Sequence, residues 1–228
     1  MGLIGNIYGF FGYYNHSRGK KDEALKWYKK AEEKDVTNPN YQMAYGVLML
    51  RSGQFEKARE LFNRLLVFFP RNQAVKTNAK INLALTHWKM GDLDTAVDSM
   101  TEIHGKLKNS RTYGTLGYLL VETGDYEKAL QFNKEALDYD DTDPVVLDNL
   151  GQTYYRMGDM DKAFEYFKKA QEQKEDQAVT LYYLGILYQQ RGQVEEARAV
   201  LDKALTCRIS ALSTVSREEI EAKREELG

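Results

Sequence analysis

The chain has 228 residues, of which 29% are charged and 43% hydrophobic, and its formal net charge is −2. This composition is typical of an ordinary folded protein, and its charge balance argues against nucleic-acid binding, which needs a concentrated basic surface. The single cysteine, Cys207, cannot form an internal disulfide and fits a reducing compartment, so we predict a cytoplasmic location.

The N-terminus is the most apolar part of the chain, with large side chains such as Leu3, Ile7 and Phe10 among its first fourteen residues. No basic residue precedes this stretch and glycines interrupt it, so it does not look like a secretory signal. It is also shorter than the roughly 20 apolar residues that cross a bilayer. We therefore predict no integral membrane segment.

Small residues recur at a fixed spacing further along the chain. Gly117, Gly151 and Gly185 lie 34 residues apart, and Ala129, Ala163 and Ala197 repeat that interval. Weaker copies precede them, which places repeat starts near residues 5, 39, 77, 110, 144 and 178. One interval is longer by four residues, near positions 70–76, and predicts about one extra turn of helix or a longer loop there.

Within each repeat the apolar residues follow two helical stripes. In the copy that starts at Pro144, the first stripe contains Leu147, Leu150, Gly151 and Tyr154, and the second contains Ala163, Phe167 and Ala170. Residues at i, i+3, i+4 and i+7 share one helix face, so each repeat predicts two amphipathic helices. A glycine that follows each first helix, such as Gly158, predicts a left-handed helix end.

In the copy that starts at Pro144, the first stripe thus has a large residue, a leucine, a small residue and a tyrosine, and the second has an alanine, an aromatic residue and an alanine. This pattern resembles the tetratricopeptide repeat family. The resemblance implies an all-α, right-handed superhelix of about six repeats over residues 1–210, with a charged capping helix at 211–228. It also implies a non-catalytic scaffold that binds a peptide or helix of a partner protein in its concave groove.

The C-terminal segment has its own helix signal. Ser216 and Glu219 have capping-box spacing and predict a helix that runs to about Leu227. We interpret this helix as a cap over the last repeat. The alternative is a tail that docks on a partner or on a second copy.

A second stripe on the first helices, at repeat positions 2, 5, 9 and 12, lines the groove in the family. It is apolar in the early repeats and more polar in the later ones. We predict that it binds the peptide through Tyr13, Met43, Val47, Ile81, Leu85, Trp88, Arg111, Tyr118, Asp148, Gln152, Tyr155 and Tyr182. The alternative is that tight curvature buries these side chains against neighbouring helices.

Catalytic signals are weak. The three histidines, His16, His87 and His104, have no metal-ligand spacing, and no glycine-rich phosphate loop is present. We therefore predict no enzyme activity, no metal and no cofactor.

The main alternative function uses the N-terminal helix instead of the groove. Leu3, Ile7, Phe10 and Tyr14 form an apolar face that could pair with a second copy and make a homo-oligomeric assembly scaffold. A further alternative is that this helix makes a peripheral contact with a membrane.

Overall fold

The computed structural model describes residues 2–228, and this part of the chain contains thirteen α-helices and no β-strand. In chain order they are α1 Leu3–Ser17, α2 Lys21–Glu33, α3 Pro39–Arg51, α4 Phe55–Phe68, α5 Gln73–Lys89, α6 Leu93–Lys106, α7 Ser110–Glu122, α8 Tyr126–Tyr139, α9 Pro144–Met157, α10 Met160–Gln173, α11 Ala178–Gln190, α12 Val194–Thr206 and α13 Arg217–Glu225.

The first twelve helices form six consecutive helix pairs, so the predicted all-α fold of repeated helical pairs is confirmed. We call α1, α3, α5, α7, α9 and α11 the first helices and their partners the second helices. The chain divides into two compact units, Met1–Ser99 (unit 1) and Met100–Gly228 (unit 2). The division falls inside α6.

In four of the six pairs a glycine of the first helix meets a large side chain of the second, which is Tyr28, Phe62, Phe167 or Leu201. A Cβ added at Gly46 would lie 2.5 Å from Cε1 of Phe62, and one added at Gly151 would lie 2.6 Å from Cδ1 of Phe167. Phe62 and Phe167 are fully buried. The two helix axes can approach this closely only because glycine has no side chain.

Glycines also end the first helices as predicted. Gly158 follows α9 with φ of 84°, and its backbone N–H donates to the carbonyl of Tyr155 over 3.1 Å. The equivalent glycines at 19, 53, 91, 124 and 192 have φ between 74° and 90°. A side chain at these positions would strain the backbone, which explains why glycine recurs there.

The four extra residues between the second and third repeats lengthen a helix. The α5 helix has 17 residues, whereas the other first helices have 13 to 15. Its N-cap is Asn72, whose side chain accepts a hydrogen bond from the backbone N–H of Val75 over 3.1 Å. The insertion therefore adds a turn at the start of α5 and leaves the connecting loop short.

The predicted C-terminal helix is present and begins with the predicted capping box. The Ser216 hydroxyl accepts from the backbone N–H of Glu219 over 3.1 Å, and the Glu219 carboxylate accepts from the N–H of Ser216 over 2.7 Å. Ile220 is fully buried in a cluster with Leu201 of α12 and Leu181 of α11. The α13 helix thus packs on the last helix pair of its own chain.

Over residues 2–228, none of the helices combines the length and the apolar character needed to cross a membrane.

Adding a methyl group at Gly151 tests the close approach of α9 and α10. We expect Gly151→Ala to lower the free energy of unfolding by about 1–3 kcal/mol, because the new Cβ overlaps the buried ring of Phe167. Urea unfolding followed by circular dichroism measures the change.

Gly105, in α6, is the matched control, because a Cβ there meets nothing within 4 Å. Gly105→Ala should raise stability by about 0.5–1 kcal/mol, the ordinary helix preference for alanine over glycine. Equal effects of the two substitutions would show that packing against Phe167 is not limiting.

Candidate functional site

The first helices lie side by side within each unit and create the surface on which the sequence places the binding residues. We call it the first-helix face. In unit 1, a Cβ added at Gly9 of α1 would lie 2.6 Å from Cδ2 of Tyr41 in α3. The Asn82 side-chain amide of α5 donates to the sulfur of Met43 in α3 over 3.5 Å. The stripes of α1, α3 and α5 are therefore continuous.

The predicted residues of unit 1 form a mainly apolar surface. Tyr13 is 50% exposed, and its ring centroid lies 6.2 Å from that of Tyr41. Met43, Val47, Leu85 and Trp88 are partly exposed. The ammonium of Lys89 lies 4.5 Å from the centroid of the Trp88 ring, which places a positive charge beside the apolar surface.

The predicted residues of unit 2 form a more polar set. Arg111 is exposed, and Tyr118, Tyr155 and Tyr182 are partly exposed. The rings of Tyr155 and Tyr183 lie 4.9 Å apart, which joins α9 to α11. Arg111 is thus the charged side chain of the predicted set that is exposed on this unit.

Three of the predicted binding residues are buried inside the protein, although the prediction placed them on the binding surface. Ile81 and Gln152 are 2% exposed and Asp148 is 9% exposed. Their side chains are covered because neighbouring first helices pack closely enough to use part of the second stripe for their own contact. The alternative of burial therefore describes these three residues.

Asp148 and Gln152 belong to a buried polar network between α9 and α11. The Gln152 amide donates to Oδ2 of Asp148 over 2.6 Å, and the Thr180 hydroxyl donates to Oδ1 over 2.5 Å. Burial raises the pKa of the Asp148 carboxyl to about 6, although the hydrogen bonds from Thr180 and Gln152 oppose this rise. The carboxyl therefore links two helix pairs. Near neutral pH this link requires that the charged carboxylate stays buried.

The chain's own C-terminal segment covers part of the face of unit 2. Val179 and Tyr182 of α11 pack against the buried cluster that contains Val215 and Ile220. Thr214 also interacts with the hydroxyl of Tyr118, whose pKa is raised mainly by burial. The sequence analysis placed the C-terminal helix over the last repeat, but it did not predict that Val215 and the segment before α13 cover side chains of the first-helix face. The chain itself therefore covers part of the first-helix face of unit 2, although Val145 of α9 is 43% exposed.

Four family models of the tetratricopeptide repeat, described as "Tetratricopeptide repeat" or "TPR repeat", match this chain. They cover residues 17–73, 78–100, 117–158 and 144–210. A curated TPR repeat-containing protein of Methanocaldococcus jannaschii is 31% identical over 121 residues, which are 52% of this chain. The match spans 20% of that relative's length.

Solved structures show the same fold. A tetratricopeptide repeat protein from Parabacteroides merdae has a TM-score of 0.82 at 19% identity, over 99% of this chain and 84% of that one. A chain of the APC/C hetero-tetramer Cut9–Hcn1 has a TM-score of 0.70 at 20% identity, over 97% and 42%. The type IV pilus biogenesis factor PilW has a TM-score of 0.66 at 17% identity, over 89% and 93%.

Replacing Asp148 by asparagine tests the buried carboxyl. Its pKa is about 6 in the folded protein, above the ordinary aspartate value of 3.8, so the folded state binds the proton more tightly than the unfolded state. Wild-type stability should therefore fall as pH rises from 4 to 6 and level off above that range. Relative to wild type, Asp148→Asn should gain about 2 kcal/mol between pH 4 and pH 7.5. Urea unfolding at both pH values measures this difference.

Asp141 serves as the control, since it is exposed in the loop before α9. Asp141→Asn should show no such relative gain. If the stability difference between wild type and Asp148→Asn is the same at both pH values, the carboxyl is not titrating in this window.

Proposed function

Because this chain belongs to the tetratricopeptide repeat family, we propose that it is a scaffold that binds a partner protein, without catalysis of its own. The family and fold suggest protein–protein interaction. We propose more specifically that a peptide or helix of the partner binds on the first-helix face of unit 1.

The observation that carries this proposal is the apolar surface formed by Met43, Val47, Leu85 and Trp88. These side chains are partly exposed, and they lie outside the small-to-large contacts that join first and second helices. Covering apolar surface is favourable by roughly 25 cal/mol per Å². Trp88 has the features of an anchor, because tryptophan is enriched among the residues that dominate binding energy.

The positive charge of Lys89, beside Trp88, supports binding of a peptide with some polar character. Asn82, which contacts Met43, is buried. On unit 2, taken by itself, we propose that Arg111, Tyr155 and Tyr182 make polar contacts with a ligand, whereas the Tyr118 hydroxyl is buried. The tail that covers part of that face would have to be accommodated or moved.

The environment of His104 supports a non-catalytic role. His104 is 7% exposed, and its ring lies 4.4 Å from that of Tyr113 and 5.2 Å from that of Phe132. Burial lowers the pKa of His104, which keeps the ring neutral in an aromatic cluster. A histidine held in this way packs as a core residue.

We also propose a cytoplasmic location, supported by the single cysteine.

We propose that α13 acts as the cap of the array. It covers apolar residues of the last helix pair with Ile220 and turns charged residues outward. Arg224 donates to the Asp202 carboxylate of α12 over 2.7 Å, and Arg198 of α12 donates to the Leu227 carbonyl over 3.0 Å. Repeat arrays need such an end because their last apolar face has no further repeat to cover it.

Replacing Leu85 and Trp88 tests the binding surface. We expect Leu85→Glu/Trp88→Ala to lose a partner that wild type retains in affinity capture from the native lysate, with the proteins identified by mass spectrometry. For the purified partner the dissociation constant should rise about 30-fold or more, since loss of an anchor costs about 2 kcal/mol. Isothermal titration calorimetry measures this change.

The control removes exposed apolar side chains elsewhere. Val67 and Phe68, in α4, are 71% and 63% exposed, and Val67→Ser/Phe68→Ser should retain the same proteins as wild type. Circular dichroism shows whether each variant is folded. Retention of identical proteins by all three folded forms would exclude the first-helix face of unit 1 as the main recognition surface.

Truncating Ile220 tests the cap. Ile220→Ala should lower the free energy of unfolding by about 2–4 kcal/mol, because it leaves a cavity in a fully buried cluster. Ala222→Ser, at an exposed position of the same helix, should change it by less than about 1 kcal/mol. Urea unfolding compares the two, and equal stability of Ile220→Ala and wild type would mean that α13 adds nothing to the array.

A further inference from the structure

The α1 helix packs on its own chain with glycines and turns its large side chains outward. Its buried residues are Gly5, Gly9 and Gly12. A Cβ at Gly12 would lie 2.5 Å from Cδ1 of Tyr28, so this side is closed by packing. The opposite side shows large apolar residues, with exposed fractions of 76% for Leu3, 54% for Ile4, 47% for Ile7, 51% for Phe10, 40% for Phe11 and 44% for Tyr14. We call these six residues the outer α1 patch.

The outer α1 patch continues onto α2 through a tryptophan. The Trp27 ring lies 5.1 Å from the ring of Phe11 and 5.5 Å from that of Tyr8. From Leu3 to Ser17 the α1 sequence contains no Asp, Glu, Lys or Arg. A continuous aromatic and aliphatic surface without charge is unusual on an exposed helix and marks an interaction site.

Basic side chains border this surface. The Lys30 ammonium lies 4.8 Å from the centroid of the Trp27 ring, and the Arg18 guanidinium lies 4.7 Å from that of Tyr14. Residues 1–34 contain seven basic and four acidic side chains, although the whole chain has a net charge of −2. One of the four acids, Glu32, is already paired with Lys57 and Arg64 of α4. The region around the patch is therefore positively charged.

We propose that the outer α1 patch binds the surface of an anionic lipid bilayer, with α1 lying in the plane of the interface. Aromatic rings favour the headgroup region, aliphatic side chains enter the acyl boundary, and lysine and arginine attract anionic lipids. With 15 residues, α1 is roughly 22 Å long. That is too short to span a hydrocarbon core of about 30 Å, so the helix lies on the membrane.

The charge of the border distinguishes a membrane from a second copy of the chain. Two copies that met through this patch would each bring a border with net positive charge to the interface, and like charges oppose association. An anionic bilayer reverses the sign of that interaction. The proposal does not depend on ligand binding by the first-helix face of unit 1, since it uses the other side of α1.

Flotation of the full chain with vesicles tests the proposal. The probes are vesicles of phosphatidylcholine alone and of phosphatidylcholine mixed with phosphatidylglycerol. Wild type should float with the mixed vesicles and not with pure phosphatidylcholine, and added salt should weaken the binding. The Trp27 side chain should enter a less polar environment on binding, which shifts tryptophan emission to shorter wavelength.

Two variants make the test specific. Leu3→Ser/Ile7→Ser/Phe10→Ser changes exposed side chains only and should reduce the partition coefficient about tenfold or more. Val67→Ser/Phe68→Ser removes exposed apolar side chains from α4 and should leave it unchanged. Lys30→Glu should weaken binding to the mixed vesicles and should have no effect with pure phosphatidylcholine.

Three results would overturn the proposal. The first is failure of wild type to bind the mixed vesicles, and the second is equal binding by wild type and the triple variant. The third is a concentration-dependent dimer in sedimentation equilibrium that the triple variant abolishes while vesicle binding is absent, which would assign the patch to a second copy.

Discussion

The contact between a glycine on a first helix and a large side chain on its second helix, found in four of the six pairs, is the constraint on which this structure depends. At Gly151 and Phe167, and at Gly46 and Phe62, the ring lies where a Cβ would otherwise be. This contact fixes the distance between the two helices of a pair and buries the ring completely. A side chain at the glycine would push the pair apart, so the pairs can be repeated only while this position stays small.

Close packing also has a consequence for the surface on which a ligand can bind. When first helices lie next to one another, some side chains of the second stripe become part of the contact between them. Asp148 and Gln152 are examples, since their hydrogen bonds run within α9 and across to Thr180 of α11. The surface that remains for a ligand is consequently smaller than the periodic stripe, and in unit 2 the tail covers more of it. The apolar side chains of unit 1 are therefore the basis of the proposed function.

In α1 close packing leaves the large apolar side chains exposed instead of burying them. Its glycines occupy the packed side, which lets α1 approach Tyr28 and Tyr41 closely. Its large apolar residues then point away from the chain, and the basic side chains of Arg18 and Lys30 lie at their edge. The hydropathy of α1 alone would predict a buried helix. In the structure its large apolar side chains are instead exposed, with basic side chains at their edge.

The sequence by itself determined the repeat, the order of the helices, the glycine helix ends and the capping box of α13, because these depend on the spacing of residues within one or two turns of a helix. It also identified the apolar residues of the second stripe, which share one face of a single helix. Only the tertiary structure decided that Ile81, Asp148 and Gln152 are buried, that the four extra residues lengthen α5, and that the tail packs on α11. The physical reason is that burial depends on which other helix lies against a side chain. Helix periodicity gives the direction of a side chain but not what lies in that direction.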